Sequence, residues 1–171
     1  MRKLLLLLGF LLVVAIASKQ QIGSFIVETT KDELTDEVKI IATTPAISFP
    51  DLADDAALIL RCNGDDFDIF IYADEYLNSD DEIPAKYKID GVLVKFPTEF
   101  VPSTTGTSAF ALAPEAFLID LVNGDGSDMV IRLWDYRGTA YTYKFKLNGL
   151  MRVLKLMQPV CIKGGIPKPK W

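Results

Sequence analysis

Two apolar runs around an Asn-Gly pair constrain the fold of this chain most strongly. Residues 56–62 read AALILRC, residues 67–72 read FDIFIY, and Asn-Gly lies between them. The central positions of a two-residue hairpin turn favour positive φ, which Asn and Gly adopt most readily. Because side chains alternate along a strand, Leu58, Leu60 and Cys62 should share one face. The segment predicts a β-hairpin with one apolar face.

The same pattern of alternating runs and turn residues continues through most of the chain. The further predicted strand segments are 24–30, 37–45, 81–96 with a turn at Asp90-Gly91, 116–122 and 128–136 around a turn at 123–127, and 140–147. Residues 101–114, rich in Ser, Thr and Pro, are predicted to form a long loop. Short strands joined by turns rather than helices indicate an antiparallel sheet protein.

One segment near the C-terminus has the apolar spacing of a helix. Residues 149–158 place leucine, valine and methionine at helical intervals, Asn148 can cap the start, and Pro159 ends the run. The predicted fold is mainly β: an antiparallel β-sandwich with one short C-terminal helix.

The first 17 residues have the features of a secretory leader. Arg2 and Lys3 precede an apolar run from Leu4 to Ala17 that ends in the small-x-small pattern of a cleavage site. The run is shorter than the roughly 20 residues of a membrane-spanning helix, although an uncleaved anchor is the alternative. We predict a signal peptide at 1–17, one domain at 18–161, and a flexible basic tail at 162–171.

Charge and composition exclude several classes of function. The chain carries a net charge of −5, and losing Arg2 and Lys3 with the leader would make it −7. Such a balance disfavours nucleic acid and anionic membranes as partners. Histidine is absent, so a Ser-His-Asp triad, a Cys-His pair and the usual zinc sites are excluded. We predict no catalytic, cofactor-binding or metal-ligating residues.

The two cysteines are predicted to bond to each other. A secretory leader implies an oxidising compartment, in which paired cysteines usually form disulfides. Cys62 ends a strand on its apolar face, and Cys161 follows the predicted helix. A Cys62–Cys161 bond would hold the C-terminal helix against the sheet. The alternative is a reactive Cys62 thiol, which would need a neighbouring cation; Arg61 should point to the opposite face.

Clusters of acidic residues allow two further interpretations. The first is calcium, a cation that prefers several oxygen ligands. The candidates are the loop NGDGSD at 123–128 and three acidic clusters: Asp65, Asp66 and Asp68; Asp74 and Glu75; and Asp80, Asp81 and Glu82. That loop lacks the glycine and the glutamate of a calcium-binding loop, so solvated turns are the preferred interpretation. The second is a carboxylate pair for glycoside hydrolysis, for which the sequence gives no specific signal.

The order of several motifs resembles the type VI secretion-associated proteins called VasI or TagO. The shared elements are Arg61-Cys62 on an early strand, Arg132 on a late strand, the Phe-x-x-x-Gly-Leu pattern of Phe145 and Gly149-Leu150, and a final Cys161. The resemblance covers residues 25–161, with Phe25 where a tryptophan is expected in the family. It implies a secreted, disulfide-linked, non-enzymatic β domain.

We therefore expect an extracytoplasmic accessory or binding module of the bacterial envelope, periplasmic or secreted after cleavage near Ala17. The expected partner is an envelope or secretion-apparatus protein, with no nucleic acid, and with a membrane only through an uncleaved leader. Two alternatives stay open at this point. One is a virion or surface structural protein of a phage, and the other is a carboxylate-dependent hydrolase of envelope glycans.

Overall fold

The computed structural model describes residues 17–47, 56–78, 81–95 and 97–168 of the 171-residue chain. The predicted leader, apart from Ala17, lies outside the described residues. In chain order the described elements are β1 (Ala17–Ile22), β2 (Phe25–Lys31), β3 (Val38–Pro45), β4 (Ala57–Asn63), β5 (Asp66–Tyr72), β6 (Ala85–Ile89), β7 (Val92–Leu93), β8 (Phe100–Pro102), β9 (Ser108–Ala111), α1 (Pro114–Val122), β10 (Asp128–Trp134), β11 (Ala140–Lys146) and α2 (Leu150–Met157).

The strands form two sheets that are antiparallel throughout. The larger sheet has the strand order β1-β2-β3-β4-β5-β9-β8, and the smaller has the order β11-β10-β6-β7. Two single backbone bridges join the sheets, one between Ala46 and Phe145 and the other between Ile83 and Phe100. The apolar inner faces of the two sheets enclose one core. The prediction of a mainly β, antiparallel sandwich with a short C-terminal helix is confirmed.

The hairpin formed by β4 and β5 is also confirmed, with one change at its turn. Leu58, Leu60 and Cys62 face the core and are fully buried. Asn63 pairs with Asp66 across the ladder, so the turn residues are Gly64 and Asp65 rather than Asn63 and Gly64. Positive φ is therefore needed only at the first turn position, where Gly64 has a φ of 60°.

The prediction of a strand at 116–122 is wrong, because these residues lie in α1. Pro114 occupies the first turn of this helix, a position that suits its fixed φ and missing N–H. Phe117, Leu118, Leu121 and Val122 are buried, and their spacing is that of one face of a helix. A short continuous apolar run is compatible with either a helix or a strand. Residues 123–127 consequently join α1 to β10 and do not form the predicted third hairpin.

The prediction of a long loop at 101–114 is wrong as well. Strands β8 and β9 form a hairpin in this segment, followed by the start of α1. Side chains of the turn hydrogen-bond to one another, with Ser103 Oγ and Thr105 Oγ1 3.1 Å apart. Gly106 has a φ of 73°, which closes the turn. The loop between β8 and β9 is therefore only five residues long, although the composition of the whole segment is typical of loops.

The C-terminal helix α2 packs against β1 and β2 but does not have the predicted cap. Gly149, not Asn148, occupies the N-cap position, and it has a φ of 92°. The carbonyl group of Asn148 instead accepts a hydrogen bond from the backbone N–H of Ser24 at 2.9 Å. This bond ties the turn between β1 and β2 to the start of α2.

The packed domain reaches slightly beyond the predicted limits at both ends. Strand β1 begins at Ala17 and pairs with β2. After Cys161, Ile162 is buried and Ile166 packs against the core, so the first part of the predicted tail has fixed contacts. Residues 169–171 of that tail lie outside the described residues. Neither α1 nor α2 has the length and apolar character needed to cross a membrane, and the described ranges contain no other helix.

Candidate functional site

The outer face of the smaller sheet concentrates positive charge. On β10, Met129, Ile131 and Leu133 point into the core and are fully buried. Because side chains alternate along a strand, the residues between them face outward, as do their partners across the ladder. The outward cations, which we name the basic face, are Lys86 and Lys88 of β6, Arg132 of β10, and Lys144 and Lys146 of β11.

Lys86 and Arg132 occupy directly opposed positions on neighbouring strands. Like charges at opposed positions destabilise a sheet. Within the described ranges no carboxylate forms an ion pair with either side chain. Arg132 Nε donates a hydrogen bond to Thr142 Oγ1 at 2.9 Å, which fixes the guanidinium beside β11. The pair is therefore a site at which an external anion would relieve repulsion.

The next row of the sheet places Val130 between Lys88 and Lys144. Lys144 Nζ lies 2.6 Å from Asp128 Oδ2. Asp128 is the one acidic residue at the outward positions of β6, β10 and β11. Five cations and one carboxylate leave this surface with a net charge of +4, although the whole chain carries −5. Such an asymmetric distribution attracts and orients an anionic partner.

Apolar side chains lie beside these charges. Trp134 is half-buried, one row beyond Arg132, and its ladder partner on β11 is the small residue Ala140. Leu93 lies opposite Lys88 at the β7 edge and is 62% exposed. Trp134 and Leu93 line one shallow depression together with cations of the basic face. A ligand on this surface would meet positive charge and flat apolar area together.

Tyr87 lies between Lys86 and Lys88 on β6, and its buried side chain anchors this strand from the core side. Its hydroxyl donates a hydrogen bond to Asp120 of α1 at 2.7 Å and accepts one from the backbone N–H of Thr98 at 3.2 Å. Burial, together with the hydrogen bond to Asp120, raises the pKa of Tyr87 well above its usual value. The phenol therefore stays protonated, and the backbone that carries Lys86 and Lys88 is held against α1.

The turn between β10 and β11 is fixed by the buried residue Asp135. Its Oδ1 accepts hydrogen bonds from the backbone N–H groups of Thr139 at 2.7 Å and Arg137 at 2.9 Å. Burial acts to raise the pKa of Asp135, but these two hydrogen bonds, together with those from the side chains of Thr139 and Arg137, hold the pKa below its usual value. An ionised Asp135 thus closes the turn next to Trp134.

The structure joins Cys62 to Cys161, the pair predicted from the sequence, with the two Cα atoms 5.6 Å apart. Cys62 is fully buried and Cys161 is nearly so. The bond connects the inner face of β4 to the segment that follows α2. The alternative of a reactive Cys62 thiol does not fit this bonded, buried position.

Arg61 points away from the core, as predicted, and has partners on the outer face of the larger sheet. One of its terminal nitrogens lies 2.6 Å from Asp68 Oδ2. Its guanidinium also lies over the rings of Phe70 and Phe110, 5.3 and 5.7 Å from their centroids. Arg61 therefore has an ionic partner and two aromatic partners on the face of the sheet opposite to Cys62.

Two of the three aspartates in the acidic turn that the sequence offered as a calcium candidate form ion pairs. Asp68 pairs with Arg61, and Asp65 pairs with Lys163 at 2.6 Å. In the second candidate loop, Asp128 pairs with Lys144, and Asp125 Oδ1 lies 3.5 Å from the backbone nitrogen of Met151. No group of three or more acidic or cysteine side chains is arranged to hold a metal within the residues described.

Sequence reasoning did not identify the basic face, although part of the signal was present. The runs KYK at 86–88 and KFK at 144–146 alternate cations with buried aromatics. Each run alone is typical of an ordinary amphipathic strand. The cations form one surface only because β10 pairs with β6, and more than 30 residues separate these strands in the sequence.

Comparisons with known proteins establish similarity of fold alone. No family model matches the chain, and no curated protein resembles it in sequence. Among solved structures, the chain is similar to the crystal structure of invasion associated protein B from Bartonella henselae, with a TM-score of 0.53 and 11% sequence identity. The match covers 84% of this chain and 99% of that one.

Proposed function

We propose that this protein is a non-enzymatic accessory or binding module of the bacterial envelope, and that the basic face is its binding surface. The observation that carries the proposal is the concentration of Lys86, Lys88, Arg132, Lys144 and Lys146 on one sheet face of a negatively charged chain. The partner is a negatively charged component of the envelope.

Four further features support an extracytoplasmic location for this module. The sequence begins with the pattern of a secretory leader that ends near Ala17. A disulfide joins Cys62 and Cys161, and such bonds persist mainly in oxidising compartments. The motifs at Arg61-Cys62 and at Gly149-Leu150 resemble envelope proteins of the VasI or TagO type, and the fold is similar to a bacterial protein named for invasion.

The absence of histidine supports a binding role rather than catalysis. The tyrosine buried beneath the basic face, Tyr87, is held protonated by burial and by its hydrogen bond to Asp120. The chemistry of the basic face is therefore suited to binding and orienting a ligand.

Sedimentation with isolated bacterial envelopes tests the proposal. The protein is purified after export with its own leader, mixed with envelope fractions, and compared with the Lys86→Glu/Arg132→Glu variant. We expect the variant to bind at least tenfold less, because the changed positions reverse the charge of the opposed pair. Binding should weaken as salt increases.

The matched control is Lys39→Glu/Arg152→Glu, which makes the same change of charge at exposed residues of β3 and α2. In the described structure neither residue forms an ion pair. This control should bind like the unmodified protein. Equal binding by the Lys86→Glu/Arg132→Glu variant, or turnover of an envelope substrate by the purified protein, would refute the proposal.

A further inference from the structure

We propose that the ligand of the basic face is a linear polysaccharide that carries carboxylate groups. This inference rests on the proposed function and specifies the chemistry of the partner. The length of the surface, its composition, the placement of its cations and the position of Trp134 support it.

The surface is long and open rather than a closed pocket. Along β10 it extends from Asp128 to Trp134, a distance of about 20 Å at the usual rise of an antiparallel strand. Successive outward rows are about 6.8 Å apart for the same reason. A linear polymer lying along β10 would meet the Val130 row and the Arg132 row in turn, and then Trp134.

The composition of the surface differs from that of a typical protein interface. Interfaces between proteins are enriched in aromatic residues, methionine and arginine, and depleted of lysine, with charge excluded from their centre. Four of the five cations in the basic face are lysines, and they lie on β6 and β11, on either side of β10. Flexible ammonium groups around an open depression fit a hydrated, repeating polyanion.

The cation placement favours carboxylates at two neighbouring positions. Lys86 and Arg132 face each other across a strand pair, where Cβ atoms are about 4.5–5.5 Å apart. The planar guanidinium matches the two oxygens of a carboxylate, and the Nε atom of Arg132 is already engaged with Thr142. Lys88, in the adjacent row, provides the second charge, with Val130 between it and Lys144.

Trp134 provides a flat apolar surface one row beyond Arg132. Its neighbour across the ladder is Ala140, so no large side chain on β11 covers the indole from that side. The apolar face of a sugar ring can pack on such a surface while its carboxylate reaches Arg132. Trp134 is the one aromatic side chain at the outward positions of β6, β10 and β11, whereas single-stranded nucleic acid is usually held by several stacked bases.

Tryptophan fluorescence provides a direct test, because the chain has two tryptophans. In the exported full-length protein with Trp171→Phe, Trp134 is the one remaining reporter. The probe is polygalacturonate, a linear polymer with one carboxylate on each sugar, and the neutral comparison is its fully methyl-esterified form. We expect a saturable change in emission with the carboxylated polymer, and none with the ester.

Variants link the fluorescence signal to the proposed contacts. Lys86→Gln/Arg132→Gln should weaken binding at least tenfold, whereas the control Lys39→Gln/Arg152→Gln should leave it unchanged. By calorimetry, Trp134→Ala should weaken binding about tenfold and Trp134→Phe less. Circular dichroism of each variant establishes that it has folded.

Two outcomes would overturn this inference without touching the proposed function. One is an absence of polygalacturonate binding while envelope sedimentation still depends on Lys86 and Arg132. The other is tighter binding to a single-stranded oligonucleotide, or to phosphatidylglycerol vesicles, than to the carboxylated polymer. If sedimentation with envelopes did not depend on Lys86 and Arg132, the proposed function itself would be overturned.

Discussion

Gly149 shows how the backbone freedom of one residue determines the C-terminal part of the fold. It has a φ of 92°, and a Cβ atom at this position would lie 2.6 Å from the carbonyl oxygen of Ile22. The turn between β1 and β2 therefore approaches the start of α2 more closely than any side chain at 149 would allow. This contact gives a physical reason for the glycine in the Phe-x-x-x-Gly-Leu pattern.

The Gly149→Ala variant is expected to be markedly less stable than the unmodified protein. Left-handed backbone alone costs a residue other than glycine about 1–3 kcal/mol, and the contact with Ile22 adds to this. The matched control is Gly126→Ala, because Gly126 has a φ of 87° with open space around it. Urea denaturation of both variants measures the difference, and equal losses of unfolding free energy would show that the close approach is unimportant.

Among the larger elements, the hairpin of β4 and β5 was predictable from sequence, whereas the hairpin of β8 and β9 and the helix α1 were not. In β4 and β5, alternation and turn residues agree, so that local preference and burial lead to the same structure. Residues 116–122 form a short continuous apolar run, for which strand and helix cannot be distinguished by periodicity alone. Pro114, at the first turn of α1, was the available signal for a helix.

The candidate site depended on information that no single segment contains. The outward direction of Lys86, Lys88, Lys144 and Lys146 follows from alternation within each strand. Their assembly into one surface follows from the pairing of β10 with β6 on one side and β11 on the other. That pairing is set by the burial of the inward side chains in a common core, which is a property of the whole fold.

The disulfide joins two elements that are far apart in the chain, and its removal should loosen the C-terminal segment. Cys62 and Cys161 are 99 residues apart, and closing a loop of that length stabilises a protein by about 4.7 kcal/mol in the chain-entropy model. We expect the Cys62→Ala/Cys161→Ala variant to lose about 2–5 kcal/mol of unfolding free energy. Thermal or urea denaturation measures this loss.

Mass spectrometry of the protein purified under non-reducing conditions checks the bond independently. Without reduction, a digest should contain one peptide that joins Cys62 to Cys161 and is two hydrogens lighter than its reduced parts. Recovery of two free thiols from protein purified under non-reducing conditions would contradict the predicted pairing.

At the scale of the whole molecule, the two sheets present different outer surfaces. The outer face of the larger sheet has its arginine already satisfied, because Arg61 pairs with Asp68 and lies over Phe70 and Phe110. On the smaller sheet, Lys86 and Arg132 face each other without a carboxylate between them in the described structure. We therefore propose that the smaller sheet binds the partner and that the larger sheet supports it.

Hydrogen exchange of the protein bound to isolated envelopes tests this assignment most directly. Peptides are compared between the free and the bound protein by mass spectrometry. We expect slower exchange on binding in the segments 85–93, 128–134 and 140–146, which carry the basic face and its edge. Protection confined to 57–72 and 108–111, on the larger sheet, would contradict it.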